Sequence, residues 1–176
     1  FEISKILLSS KYIDVNYIEY IKIDMNSFFY NMENRILYQS VLMNATQNND
    51  IQKIDLIIHH PQFDKNKSCL KNAIVISIQN NFIQIFNKLL ELVDNINNYD
   101  YSNESLLSIA VKNNRIEIIK TILQNENFDS KKSFIFNCFI GTLVIRNESY
   151  EIMKILIDYD KQHDNLINFK SLLPDG

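Results

Sequence analysis

The chain repeats one hydrophobic pattern. In Ile116-Glu117-Ile118-Ile119-Lys120-Thr121-Ile122-Leu123 the residues Ile116, Ile119, Ile122 and Leu123 fall on one helical face, and Glu117 and Lys120 sit three apart on the other. That spacing predicts a short amphipathic helix. The same spacing recurs in Phe1-Glu2-Ile3-Ser4-Lys5-Ile6-Leu7-Leu8, Ile51-Gln52-Lys53-Ile54-Asp55-Leu56-Ile57-Ile58, Ile83-Gln84-Ile85-Phe86-Asn87-Lys88-Leu89-Leu90 and Tyr150-Glu151-Ile152-Met153-Lys154-Ile155-Leu156-Ile157. The copies start at 1, 51, 83, 116 and 150, so the steps are 50, 32, 33 and 34. Near-equal steps with one longer step read as a repeat carrying a single insertion.

Polar residues before each helix keep the same register. Gln47-Asn48-Asn49, Gln79-Asn80-Asn81 and Lys112-Asn113-Asn114 are equivalent, with Arg146-Asn147-Glu148 a looser fourth version. A turn between two short helices often needs one residue in the left-handed region, where Asn is the usual substitute for Gly. Upstream lies a second apolar helix in Val41-Leu42-Met43-Asn44-Ala45, Ala73-Ile74-Val75-Ile76-Ser77 and Leu106-Leu107-Ser108-Ile109-Ala110. Downstream, Ile13-Asp14-Val15-Asn16, Phe63-Asp64-Lys65-Asn66 and Phe128-Asp129-Ser130-Lys131 read as polar turns with one buried anchor.

On these residues the chain resembles an ankyrin-repeat array. Ser105-Leu106-Leu107-Ser108-Ile109-Ala110 stands where that family has T-P-L-H-x-A, residues 116–123 where it has E-I-V-K-L-L-L, and Ile13-Asp14-Val15-Asn16 resembles its A-D-V-N ending. The T-P dipeptide, the signature His and the turn Gly are absent, which leaves the turn before the first helix less securely bonded. The resemblance implies an all-α, ankyrin-type repeat solenoid of stacked helix-turn-helix units with inter-repeat β-hairpin loops. Its boundaries are a partial repeat at 1–16, an inserted hairpin or loop at 17–34, repeats at 35–66, 67–98, 99–132 and 133–165, and a partial next repeat or tail at 166–176. In the insertion, Tyr20-Ile21-Lys22-Ile23-Asp24-Met25 alternates at a strand-like period and Phe28-Phe29-Tyr30 follows. It is either a lengthened hairpin or an aromatic recognition finger. Neither end carries the polar face of a capping repeat, so a piece of a longer array is expected, with apolar surface exposed at residues 1–8.

Composition narrows the function. Only two glycines and two prolines occur among 176 residues, so the Gly-rich loops that cradle phosphate and the G-x-S-x-G elbow are missing. The net charge of −3, with both signs interspersed, gives no electrostatic footprint for nucleic acid. Cys69 and Cys138 each lie in an apolar run and read as buried free thiols, which suits a reducing, cytoplasmic (intracellular) setting. The longest apolar run, from Phe134 to Ile145, is broken by Asn137 and too short to insert across a membrane.

Candidate chemistry is thin. Adjacent His59 and His60 cannot share a helix face and read as a solvated helix end. Asp158, Asp160, His163 and Asp164 lack calcium-loop spacing and read as a polar inter-repeat loop. Glu2, Glu117 and Glu151 repeat at equivalent exposed positions, the mark of a solvated face and not of a converging acid pair. The chain is therefore expected to have no catalytic residues, metal or cofactor, and no small-molecule ligand. The resemblance implies a non-catalytic protein–protein interaction scaffold, with an unknown protein partner bound in a concave groove. Groove candidates by register are Gln39, Lys71 and Glu104 at the mouths of the first helices, Gln47, Gln79, Lys112 and Arg146 at their ends, and Lys67 and Tyr101 in the loops. The alternative is an architectural spacer within a larger protein whose catalytic or membrane domain lies outside this chain.

Overall fold

A computed structural model describes residues 14–16, 18–22, 36–98, 100–101, 104–129 and 149–163. The architecture is all-α, with helix–turn–helix units joined by loops that carry short antiparallel ribbons. The chain divides into two compact units, Phe1–Ile76 and Ser77–Gly176.

In the first unit β1 (Ile18–Lys22) pairs antiparallel with β2 (Ile36–Ser40), in a register running from Ile18 opposite Ser40 to Lys22 opposite Ile36. This ribbon is the stem of the insertion, whose second strand runs directly into α1 (Val41–Gln47). Phe28, Phe29 and Tyr30 lie outside the described residues. The junction is made by Ser40, whose Oγ accepts from Met43 N at 3.1 Å and donates to the Ser68 carbonyl at 2.7 Å. One hydroxyl thus caps α1 and ties it to the following loop. Helix α2 (Ile51–Ile58) packs against α1, and Asp50 caps it by accepting from Lys53 N at 2.9 Å. Helix α3 (Leu70–Gln79) contains the boundary between the units.

The second unit contains α4 (Ile83–Leu90), a 3-10 turn at Ile96–Asn98, the ribbon β3 (Asp100–Tyr101) and β4 (Glu104–Ser105), α5 (Leu106–Lys112), α6 (Ile116–Leu123) and α7 (Tyr150–Gln162). Helix α6 packs on α5, α4 and α7. Ser105 repeats the role of Ser40, its Oγ accepting from Ser108 N at 3.2 Å.

The three Asn pairs share one task, and Asn48-Asn49 and Asn113-Asn114 add a second. The second Asn takes the left-handed conformation, with φ of 52° at Asn49, 59° at Asn81 and 57° at Asn114. The next backbone N–H then reaches back five residues: Asp50 N to the Ala45 carbonyl at 3.0 Å, Phe82 N to Ser77 at 2.9 Å, and Arg115 N to Ala110 at 2.9 Å. This is the Schellman arrangement that satisfies the open carbonyls of a helix end. The first Asn supplies more of the same. Asn48 Nδ2 donates to the Asn44 carbonyl and Asn113 Nδ2 to the Ile109 carbonyl, both at 2.8 Å. Asparagine therefore does here what glycine does elsewhere, and adds a side-chain bond that glycine lacks.

The core follows the repeat. Leu42, Ile74 and Leu107 are buried at one position of the first helices; Ile54, Phe86 and Ile119, and then Ile57, Leu89 and Ile122, are buried at two positions of the second. In α7 Ile152 and Leu156 take the inward places. Each such side chain contributes roughly 1.5–3 kcal/mol through the apolar surface it removes from water. In α6 the buried face is Ile118, Ile119, Ile122 and Leu123, whereas Ile116 is half-exposed. The expected stripe was one residue out of place because α6 is covered from α4 and α7 as well as from α5, which broadens its buried arc past a single face.

Four further expectations are corrected. Helix α3 starts at Leu70 and not near Ala73, one turn earlier than its equivalents, after Cys69 at φ 58°. Cys69 is free, as expected, but half-buried and not packed within the core. Helix α7 continues to Gln162, so Asp158 and Asp160 belong to a helix and not to a loop, and Asp160 is buried. The downstream turns are anchored by Val15 and Ile96, both buried, while Phe63 and Phe128 are half-buried.

These turns also share a side-chain clasp. Asn16 donates through Nδ2 to the Gln62 carbonyl at 2.8 Å and accepts at Oδ1 from Asp64 N at 3.0 Å. In the second unit Asn97 does the same to the Asn127 carbonyl at 2.6 Å and Asp129 N at 2.8 Å. Both clasps begin with an Asx turn, in which Asp14 or Asn95 accepts from the N–H of the clasping Asn at 2.9 Å.

Candidate partner-binding surface

Three of the candidate residues sit at polar helix ends. Gln47, Gln79 and Lys112 are the last residues of α1, α3 and α5, and all three are exposed. That equivalence follows from the Asn turns, which stop each first helix at the same register. Lys67 is exposed in the loop before α3 and pairs with Asp64 at 3.6 Å. Lys71 lies within the first turn of α3 and is half-buried, because that helix starts early. Gln39 belongs to β2 and is the register partner of Glu19 in the ladder. Arg146 lies outside the described residues.

In the second unit the structure brings three candidates together. Lys112 Nζ reaches Glu104 Oε1 at 3.2 Å, joining the end of α5 to the strand that precedes it. Tyr101 stands directly opposite Glu104 in the β3–β4 ladder. Lys112 is half-exposed at its side chain and Glu104 less so, 55% against 28%, which leaves the ammonium as the more available charge.

Arg115 escaped the sequence argument. Its Nε donates to the Ile78 carbonyl at 3.0 Å and its Nη2 to the Gln79 carbonyl. A planar guanidinium suits this double role, since the last carbonyls of α3 carry the negative end of the helix dipole. The signal available in the sequence was a cation directly after an Asn-Asn pair, which occurs in only one copy of the repeat.

A second feature of this unit was also missed. An open cavity of about 630 Å³ lies between the end of α6, the loop 124–128 and the extended half of α7. Tyr159 and His163 stack within it, with ring centroids 4.0 Å apart and planes at 14°, and Phe128 meets Tyr159 edge-on at 6.0 Å. Lys120 lines the cavity and is held by Glu117 at 2.7 Å. That bond, helped by the charges of Glu117 and Glu151, raises the Lys120 ammonium above its ordinary pKa against a smaller opposing effect of desolvation.

His59 and His60 behave differently from each other. His59 is exposed, with Nδ1 2.8 Å from the Asp55 carbonyl. His60 is buried, contrary to the expected solvated pair, and its Nδ1 accepts from Gln62 N at 3.2 Å. Among the described residues no group of three or more His, Cys, Asp or Glu is placed to hold a metal ion, and no helix is long and apolar enough to cross a membrane.

The family model for ankyrin repeats (3 copies) matches residues 42–133, more than half of the chain. The chain belongs to the ankyrin-repeat family. No curated protein and no solved structure shows significant similarity to it. The match runs across α1 to α6, the three helix pairs that end in Asn turns or follow them. Within this ankyrin chain Ser105 supplies the cap at the signature Thr position. Ser108, at the signature His position, is fully buried, and its hydroxyl has no hydrogen-bond partner among the described residues. Ankyrin repeats are in general protein–protein interaction modules, and the family is typically non-catalytic.

Proposed function

We propose that this ankyrin chain is a non-catalytic scaffold that binds a protein partner through the polar ends of its first helices and the adjoining hairpin. The observation that carries the reading is the grouping of Lys112, Glu104 and Tyr101 at one end of α5. The apolar faces of α5 and α6 are committed to the core, so recognition falls to what projects from their ends. There a cation, an anion and an aromatic strand position lie together, the mixture that polar rims with aromatic anchors use. Within the first unit the equivalent ends are Gln47, Lys67, Lys71 and Gln39; Gln79 and Arg146 complete the set by register in the second.

An exposed ion pair contributes little to stability, about 0–1 kcal/mol, so Glu104 and Lys112 can be removed together without unfolding the repeat. The test is to capture a partner with the intact chain, purify it, and measure its affinity by calorimetry for the wild type, for Glu104→Ala with Lys112→Ala, and separately for Lys71→Ala. The double variant should bind at least about ten-fold more weakly, as loss of one desolvated charged contact allows. Unchanged affinity in every variant would dismiss the assignment.

A further inference from the structure

The cavity beside α7 is separate from the helix ends just discussed, and three properties of its walls point to one kind of occupant. Its shelf is aromatic: His163 is exposed and stacked on Tyr159, which Phe128 braces from the edge. Its charge is negative. Asp158 and Glu126 line it, and among the described residues the one lining lysine, Lys120, is already bonded to Glu117. Asp158 meets Lys161 only at 4.0 Å, with both side chains more than half exposed, so that carboxylate remains open to a stronger donor.

The third property is the fixed orientation of the histidine. His163 Nδ1 lies 2.8 Å from the Tyr159 carbonyl. A carbonyl can only accept, so Nδ1 is the donor of this bond. The same bond and the Tyr159 stack fix the ring plane. The cavity therefore combines a flat π surface with carboxylate acceptors.

We propose that this cavity docks an arginine side chain presented by an extended segment of a protein partner. A guanidinium is planar, stacks on aromatic faces and offers five N–H donors in a fixed fork, whereas a lysine ammonium offers a point charge with no plane to stack. The volume of about 630 Å³ holds such a side chain with its flanking backbone. The site is built from second helices and the loop after one of them, so it stands or falls independently of the Glu104–Lys112 surface.

The probe is a short glycine–serine peptide with one central arginine, titrated into the isotope-labelled chain and followed by NMR. A matched peptide carries citrulline, which keeps the shape and removes the charge, and another carries lysine. The arginine peptide should give saturable shifts centred on Phe128, Tyr159 and His163. The citrulline and lysine peptides should bind at least about five-fold more weakly, and Asp158→Asn combined with Glu126→Gln should weaken the arginine peptide by a similar factor. Both substituted residues are exposed, so the fold is retained. Equal binding of the citrulline peptide, shifts centred elsewhere, absence of saturable shifts, or indifference to the double variant would each overturn the proposal.

Discussion

Replacing Asn97 by Ala should destabilise the second unit by about 2 kcal/mol, and the structure supplies the terms. The side chain makes three bonds: Nδ2 to the Asn127 carbonyl at 2.6 Å, Nδ2 to Asn95 Oδ1 at 3.0 Å, and Oδ1 from Asp129 N at 2.8 Å. A net value of about 1 kcal/mol for each well-formed bond gives an upper figure of about 3 kcal/mol. The Asn127 carbonyl is at an exposed residue and can turn to water, which brings the expectation down; Asp129 N is half-buried and recovers less. Asn97→Asp retains the acceptor for Asp129 N and loses the donor, so it should fall between the wild type and Asn97→Ala. Urea unfolding followed by circular dichroism gives the global figure. Amide exchange at Asp129 gives a local one, which should accelerate at least about ten-fold, the equivalent of about 1.4 kcal/mol. A change below about 0.5 kcal/mol, within the ordinary range for surface substitutions, would show that the clasp is incidental.

Three further outcomes are expected. Asn114→Ala should lower stability by about 1 kcal/mol while Asn114→Gly stays within about half of that, because Ala keeps a Cβ in the left-handed region without the local polar contacts that let Asn tolerate it, whereas Gly has no Cβ to penalise; equal losses in thermal denaturation would place the effect elsewhere. Ser108→Ala should be neutral or raise the melting temperature, with up to about 1 kcal/mol recovered from a buried hydroxyl that lacks a partner among the described residues, and a marked fall would refute this. Glu117→Gln should lower the Lys120 pKa toward its ordinary value in an NMR titration of Nζ. In the wild type the pair's small stabilisation is fully present below the ordinary lysine pKa and is lost as pH rises through the raised one; an unmoved Lys120 titration would refute the assigned cause.

The period of the repeat was legible because two independent patterns kept the same register. Apolar residues of the second helices fall every 32 to 34 residues, and the Asn pairs fall with them; Asn49, Asn81 and Asn114 do take the left-handed conformation expected of them. The exceptions arise where local chemistry departs from the average copy. Helix α3 gains a turn where Cys69, an uncommon residue for positive φ, ends the preceding loop. Helix α7 gains a turn because Asp158, Tyr159 and Asp160 are polar or amphipathic residues with no Gly or Pro to stop them. Their polarity resembles that of a loop, although Asp160 is buried and Tyr159 stacks on His163. The cavity was invisible for a related reason. Its walls come from residues 120–128 and 155–163, stretches whose members show no pattern until the extra turn of α7 brings Tyr159 to Phe128.

The Asn turns have a consequence for the chemical ageing of the protein. Asparagine decays when the backbone nitrogen of the next residue attacks the side-chain amide carbon, a reaction fastest where that residue is Gly. Here the following residues are Asp50, Phe82 and Arg115, and their nitrogens are committed to the Ala45, Ser77 and Ala110 carbonyls. The bonds that end each first helix therefore also restrain the one atom that would start the damage. A chain this rich in asparagine keeps these three exposed copies of that residue in a conformation that resists their conversion to aspartate.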